Sequence, residues 1–159
     1  MTADAYLRAI ELAYQGEVYG EALYGLIAGT QTEPDHAWKW RVMAQMEFET
    51  KHLMRRLVAR HGGNVAEDPG WKQQARIDLE NYRGLPWLEL MRVFAVELVP
   101  DIAEYAKLEY DSPRRDRWVM QRLTDHEVVT KRFCDLELAG RADISIDPVL
   151  SFCRRPPPR

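Results

Sequence analysis

Cysteine is scarce: Cys134 and Cys153 are the only two in 159 residues. A small secreted scaffold stapled by disulfides is thereby excluded, and the pair reads as free thiols of a reducing, cytoplasmic setting. Long hydrophobic runs are missing as well. No stretch approaches the ~20 apolar residues of a membrane span. The opening residues, MTADAYLRAIELAYQGE, place acids early and lack the basic-then-apolar order of a secretory leader. Neither sign of charge dominates, since the formal net charge is −3. That balance offers no electrostatic reason to expect nucleic acid or a membrane surface as partner. Glycine-rich phosphate loops, paired-cysteine zinc motifs and a nucleophile elbow are all absent.

What remains is ordinary for a globular chain of one domain, with 46% apolar and 30% charged residues. Residues 3–28 read as a first helix. Leu7, Ile10, Tyr14, Glu17, Glu21, Tyr24 and Ala28 fall at alternating spacings of three and four and so share one face. Thr32 reads as the cap of a second helix that begins beside Pro34 and stops at His61-Gly62-Gly63. The connection 62–85 holds a short helix near Trp71 to Tyr82. A third long helix starts at Pro86 and reaches Tyr110. Ser112-Pro113 reads as the cap and first residue of a fourth, which ends before Gly140. Residues 141–159 read as a tail, with one turn at Pro148–Phe152 and a frayed Pro- and Arg-rich end. The expected fold is therefore all-α: two antiparallel helical hairpins joined by a long crossover between the second and third long helices, over residues 1–140.

Acidic residues recur within this frame. Glu17 and Glu97 are 80 apart, as are Glu47 and Glu127; Glu17 to Glu47 and Glu97 to Glu127 are each 30 apart. Each of the four falls near the middle of its own helix, so in paired hairpins they meet at one height. Four carboxylates in a dry interior repel each other, and their desolvation adds several kcal/mol. Either they share cations or they hold protons. On the second helix, Met43, Met46, Leu53, Met54 and Leu57 define the inner face. Thr50 lies near its centre and Glu47 roughly 70° from it, whereas Glu49 is about 90° off on the other side and His52 about 150° away. On the fourth, His126 shares the inner face with Val119, Leu123, Thr130 and Phe133. It can ligate a metal or bond to Glu17 or Glu47. Pro100 falls one turn after Glu97, where it frees the carbonyl of Val96 and should kink the helix.

Over residues 3–139 these features resemble the ferritin-like superfamily, its rubrerythrin and di-iron oxygenase branch more than storage ferritin. The family pattern is a Glu on each of the first and third helices and Glu-x-x-His on each of the second and fourth. Glu17 and Glu97 match the single acids, and Tyr24 lies seven residues after Glu17. Glu49-Thr-Lys-His52 is a literal Glu-x-x-His. The inward register is instead Glu47-x-x-Thr50, echoed by Glu127-x-x-Thr130, which puts threonine where the family has histidine. The resemblance implies a di-iron centre, or manganese in its place, held by Glu17, Glu47, Glu97, Glu127 and His126, with Glu49 and His52 as further candidates. Dioxygen or peroxide would be the oxidant for a small-molecule substrate, with Tyr24 or His126 delivering protons. A homodimer is expected, with Trp38, Trp40, Trp71, Trp87 and Trp118 serving packing or dimer contacts. Two other readings remain: a metal-free bundle that dimerises or binds a partner, and metal-independent acid–base chemistry by a buried Glu with His126.

Overall fold

The structure, a computed structural model, describes residues 1–155. It is all-helical, with no strand among the described residues. The six helices are α1 (Ala3–Thr30), α2 (Pro34–Arg60), α3 (Pro69–Tyr82), α4 (Trp87–Asp111), α5 (Arg117–Leu138) and α6 (Asp147–Arg154). None of them is long and apolar enough to cross a membrane.

The four long helices stand where the three-and-four spacing places them, and glycines stop three of the six. Gly62, Gly84 and Gly140 have φ of 76°, 78° and 72°, the left-handed region that closes a helix without a Cβ penalty. The starts differ more from expectation. Glu33, not Thr32, occupies the cap position of α2, and it makes no side-chain cap bond. Pro34 and Asp35 carry that start, through a preset φ and a negative charge at the positive end of the helix. Ser112 does not open α5. Its hydroxyl donates to the Glu109 carbonyl and closes α4, and α5 begins only at Arg117 after a tight turn. The short helix in the connection starts earlier than Trp71, at Pro69, where the Asp68 side chain accepts from the Gly70 amide.

Packing is pairwise. α1 lies along α2, α4 along α5, and α3 covers α1, while α2 also meets α5. One apolar cluster forms around Trp40, Met43, Met46, Phe94 and Phe133, the other around Tyr14, Val18, Met54, Leu57 and Leu123. The acids sit in the interior between them. Side chains of this size are worth ~1.5–3 kcal/mol each when fully buried, which is the driving force that tolerates acids in the middle. The tail is part of this structure. α6 packs on α5 and α2 and buries Val149 and Phe152, so it is two turns long and belongs to the core. The Pro-rich end expected to fray lies, from 156 onward, outside the described residues.

Polar ties hold the helices in register. Lys39 is buried and donates to Glu137 at 2.7 Å; Glu137 also accepts from Trp87 Nε1 at 2.8 Å and Ser145. Lys51 is buried between Glu21 and Glu67, linking α2 to α1 and to the segment before α3. Asp116, fully buried, takes Arg60 at 3.1 Å and His61 at 2.7 Å, tying the start of α5 to the end of α2.

Candidate metal centre

His126 on α5 is wholly buried, and its two nitrogens have different jobs. Nδ1 bonds the Leu123 carbonyl one turn back. A proton held there leaves Nε2 free, the arrangement that metal-binding histidines adopt when a backbone carbonyl orients the ring. Nε2 faces three carboxylates: Glu17 Oε1 at 3.4 Å, Glu47 Oε1 at 3.5 Å and Glu127 Oε1 at 3.5 Å. Glu17, Glu47 and His126 each present a ligand atom within 4.8 Å of the others, close enough to hold one metal ion.

Three polar atoms of this cluster are buried and have no hydrogen-bond partner: Glu17 Oε2, His126 Nε2 and Glu127 Oε2. Orphaned polar atoms are costly in a dry interior, and three around one point mark a place shaped for something that binds oxygen and nitrogen. The donor set of carboxylates and one imidazole suits a hard or borderline divalent ion. The residues present therefore fit a metal.

Without a metal, protons must do the neutralising. Burial pushes the Glu17 carboxyl well above its usual range; His126 pulls the other way, and the charges of Glu47 and Glu127 add to the rise. Glu127 is pushed up to about 7 by burial, against His126 and with Glu47 and Asp101. For His126, burial alone would lower the pKa, but Glu17, Glu47 and Glu127 together outweigh it, and the imidazolium is favoured. The cluster is thus proton-loaded near neutral pH, and a metal would exchange for those protons.

A cleft of about 600 Å³ reaches this cluster between α1, α3 and α4. Its inner end is formed by Glu47 and Glu127, and its walls by Tyr19, Tyr24, Phe94 and Tyr105. Two glycines on α1 keep it open. A Cβ on Gly20 would lie 2.5 Å from Glu47 Oε2, and one on Gly16 would lie 2.9 Å from the Tyr105 hydroxyl.

The expected acids divide. Glu17, Glu47 and Glu127 come together; Glu97 does not join them. It is exposed on the cleft wall and accepts from the Tyr82 hydroxyl at 3.0 Å. The buried face of α4 runs through Leu90, Met91, Phe94 and Leu98, which leaves Glu97 on the flank. Glu49 and His52 stay outside the cluster, as their helical angles require. Glu49 accepts from Gln45, and exposed His52 bonds its own Phe48 carbonyl. Thr50 and Thr130 are inward and buried, but each hydroxyl is spent on the carbonyl four residues earlier, at Met46 and at His126. His126, on the position before Glu127, supplies the imidazole that those threonines cannot.

Tyr24 is buried on the cleft wall between Trp40 and Phe94. Burial, then the charges of Glu127 and Glu47, push its phenol well above the ordinary value, so it stays protonated. Tyr105 was not anticipated. Its ring stacks near His126, with centroids 6.3 Å apart, and burial raises its pKa too. It lies four residues after Asp101 and eight after Glu97, so extending that stripe by one more step reaches it. Glu21 pairs with Lys51, and Asp101 and Glu104 line the cleft. Both cysteines are free. Comparison with protein-family models, curated proteins and solved structures finds no match for this chain.

Proposed function

We propose that the protein is a ferritin-like four-helix bundle, α1, α2, α4 and α5, whose buried carboxylates and His126 hold iron or manganese for oxidase, oxygenase or peroxidase chemistry on a small molecule. The observation that carries this reading is the convergence of Glu17, Glu47 and Glu127 on His126 Nε2, in a ring oriented by the Nδ1 bond to the Leu123 carbonyl. Glu17, Glu47 and His126 would hold one ion. Glu127 and Glu47 would hold a second ion of a dinuclear centre, with Glu97 on the cleft wall as the further carboxylate. When bound, such a metal supplies Lewis acidity and the electrons for reducing dioxygen or peroxide.

The chain's own residues set the rest. The cleft walls of Tyr19, Phe94 and Trp71 would seat an apolar molecule beside Glu47 and Glu127. At the mouth, Glu97, Asp101, Glu104 and Asp111 face one cation, Lys107, which favours neutral or cationic substrates over anions. Tyr24, held neutral by burial, keeps its hydroxyl proton on the cleft wall, where it can donate a hydrogen bond to a bound molecule. The free thiols agree with a reducing, cytoplasmic setting.

Elemental analysis of protein produced with iron or manganese tests the proposal. About one to two ions per chain, with melting lowered by a chelator, is the expected result; less than about a tenth of an equivalent and unchanged melting overturns it. A metal-free binding module is the second reading. It is favoured by Thr50 and Thr130 bonding their own helices, and by a cluster that protons alone can neutralise. The same analysis decides between the two.

A further inference from the structure

A second cavity, of about 850 Å³, opens between α2, α5 and the end of α6, away from the metal cluster. Five arginines line it: Arg56, Arg60, Arg115, Arg122 and Arg155. Glu49 is the sole acid among its lining residues. In a chain of net charge −3, so many cations at one cavity are a departure from the rest of the molecule.

Some of these charges are already committed. Arg60 and Arg115 reach Asp116 at 3.1 and 3.9 Å, and Arg155 reaches Asp125 at 3.0 Å. Arg56 and Arg122 have no acidic partner within 4.0 Å among the described residues. For Arg56, which faces solvent, this costs little. Arg122 is only 5% exposed. Its Nη1 donates to the Phe152 carbonyl at 2.9 Å and its guanidinium lies over the Phe152 ring at 3.5 Å, but Nε has no partner. A buried guanidinium without a counter-charge costs several kcal/mol, and a ligand that supplies one recovers it. Burial, and next the charge of Arg155, weaken its hold on the proton, whereas Asp125 and Glu49 act the other way from a distance. The apolar lining is also specific. Phe48 and Trp118 provide aromatic surface, and Leu53 and Val119 fill in between.

We propose that this cavity binds an organic anion, a phosphate monoester or carboxylate on an aromatic or alkyl body, with Arg122 and Arg56 on the oxyanion and Trp118 and Phe48 against the body. Arginine forks match both oxyanions bidentately, and guanidinium and aromatic surfaces together favour a planar group beside the charge. Glu49 and His52, whose Glu-x-x-His spacing suggested metal ligands, lie on the lining of this cavity instead. There Glu49 sets a limit on anion affinity. The site does not depend on the metal reading, since no residue of the Glu17–Glu47–His126 cluster lines it.

Calorimetric titration of the metal-stripped full chain at low salt tests this, with phenyl phosphate, inorganic phosphate, benzoate and benzylamine as probes. Phenyl phosphate should bind saturably at one per chain and more tightly than inorganic phosphate; benzylamine, which only the acidic cleft would take, should show no response to Arg56→Gln or Glu49→Gln. Benzoate tells whether carboxylate serves as well as phosphate. Arg122→Gln should weaken phenyl phosphate about tenfold, the usual loss for one charge-assisted bond. Since Arg122 also anchors Phe152, Arg56→Gln is the companion variant, expected to weaken binding several-fold with unchanged melting. Glu49→Gln should tighten binding, a gain that misfolding cannot mimic. Absence of saturable heat with phenyl phosphate and benzoate up to about 10 mM overturns the proposal. So does binding that all three variants leave unchanged.

Discussion

Replacing Glu127 by glutamine separates the two ways the buried cluster is neutralised. The Glu127 carboxyl rises from 4.5 to about 7, through burial first and then Glu47 and Asp101, with His126 opposing. In the unfolded chain the same carboxyl ionises near 4.5. Between those values the folded protein keeps a proton that the unfolded chain has lost, so stability falls as pH rises through the window. Below about 4.5 there is no penalty, and above about 7 it is complete. At about 1.4 kcal/mol per pH unit the rise amounts to about 3 kcal/mol. Glutamine has the shape of the protonated acid and cannot ionise. The metal-free Glu127→Gln protein should therefore be more stable than the parent by up to about 3 kcal/mol at pH 8, or about 6–12 °C in Tm for a chain of this size. At pH 5 the two should nearly coincide. Calorimetric melting in the presence of a chelator reads both values. A variant no more stable than the parent at pH 8, or a gap that does not close toward pH 5, refutes the account of a proton-loaded cluster. With metal added the order should reverse. The parent loses protons to the ion and gains stability, whereas the variant has one carboxylate fewer to offer and should bind the metal more weakly.

Three other outcomes are expected. Gly20→Ala places a Cβ 2.5 Å from Glu47 Oε2 and must displace that carboxylate; metal affinity should fall about tenfold while stability changes by less than about 2 kcal/mol, as read by metal titration and melting. Lys39→Met strands the buried Glu137 charge and should cost about 3–5 kcal/mol at pH 7, measured by urea unfolding. Burial raises the Glu137 pKa, but bonds from Lys39, Ser145 and Trp87 bring it below the ordinary value. Its contribution is thus present above the unfolded value and lost as pH falls through the folded one, so the loss in Lys39→Met should shrink in acid. Asp116→Asn weakens the bonds from Arg60 and His61 and should cost about 2 kcal/mol in the same assay.

Glu47 rather than Glu49 faces inward, and that was legible, because the methionines around it fix the helix face and 100° per residue does the rest. Glu17 and His126 were legible on the same grounds, and Glu127 through its spacings of 80 from Glu47 and 30 from Glu97. Glu97 was not. Its 80-residue kinship with Glu17 is a pattern along the chain, whereas its exposure depends on a cleft between α1 and α4 into which its flank turns. Arg122 reads in sequence as one more charge on a polar helix. Only the return of α6 onto α5 lays Phe152 beneath it and makes the anion cavity.

By itself, then, the sequence determined the long helices, their glycine stops and which side chains lie on the inner faces of α1, α2 and α5. Those follow from local spacing and backbone freedom, properties of neighbouring residues. The tertiary structure decided which acids share a centre, how the His126 ring is aimed, and which faces remain open as cavities. Those depend on separations between helices that volumes and contacts far apart in the chain set together, and no local period encodes them.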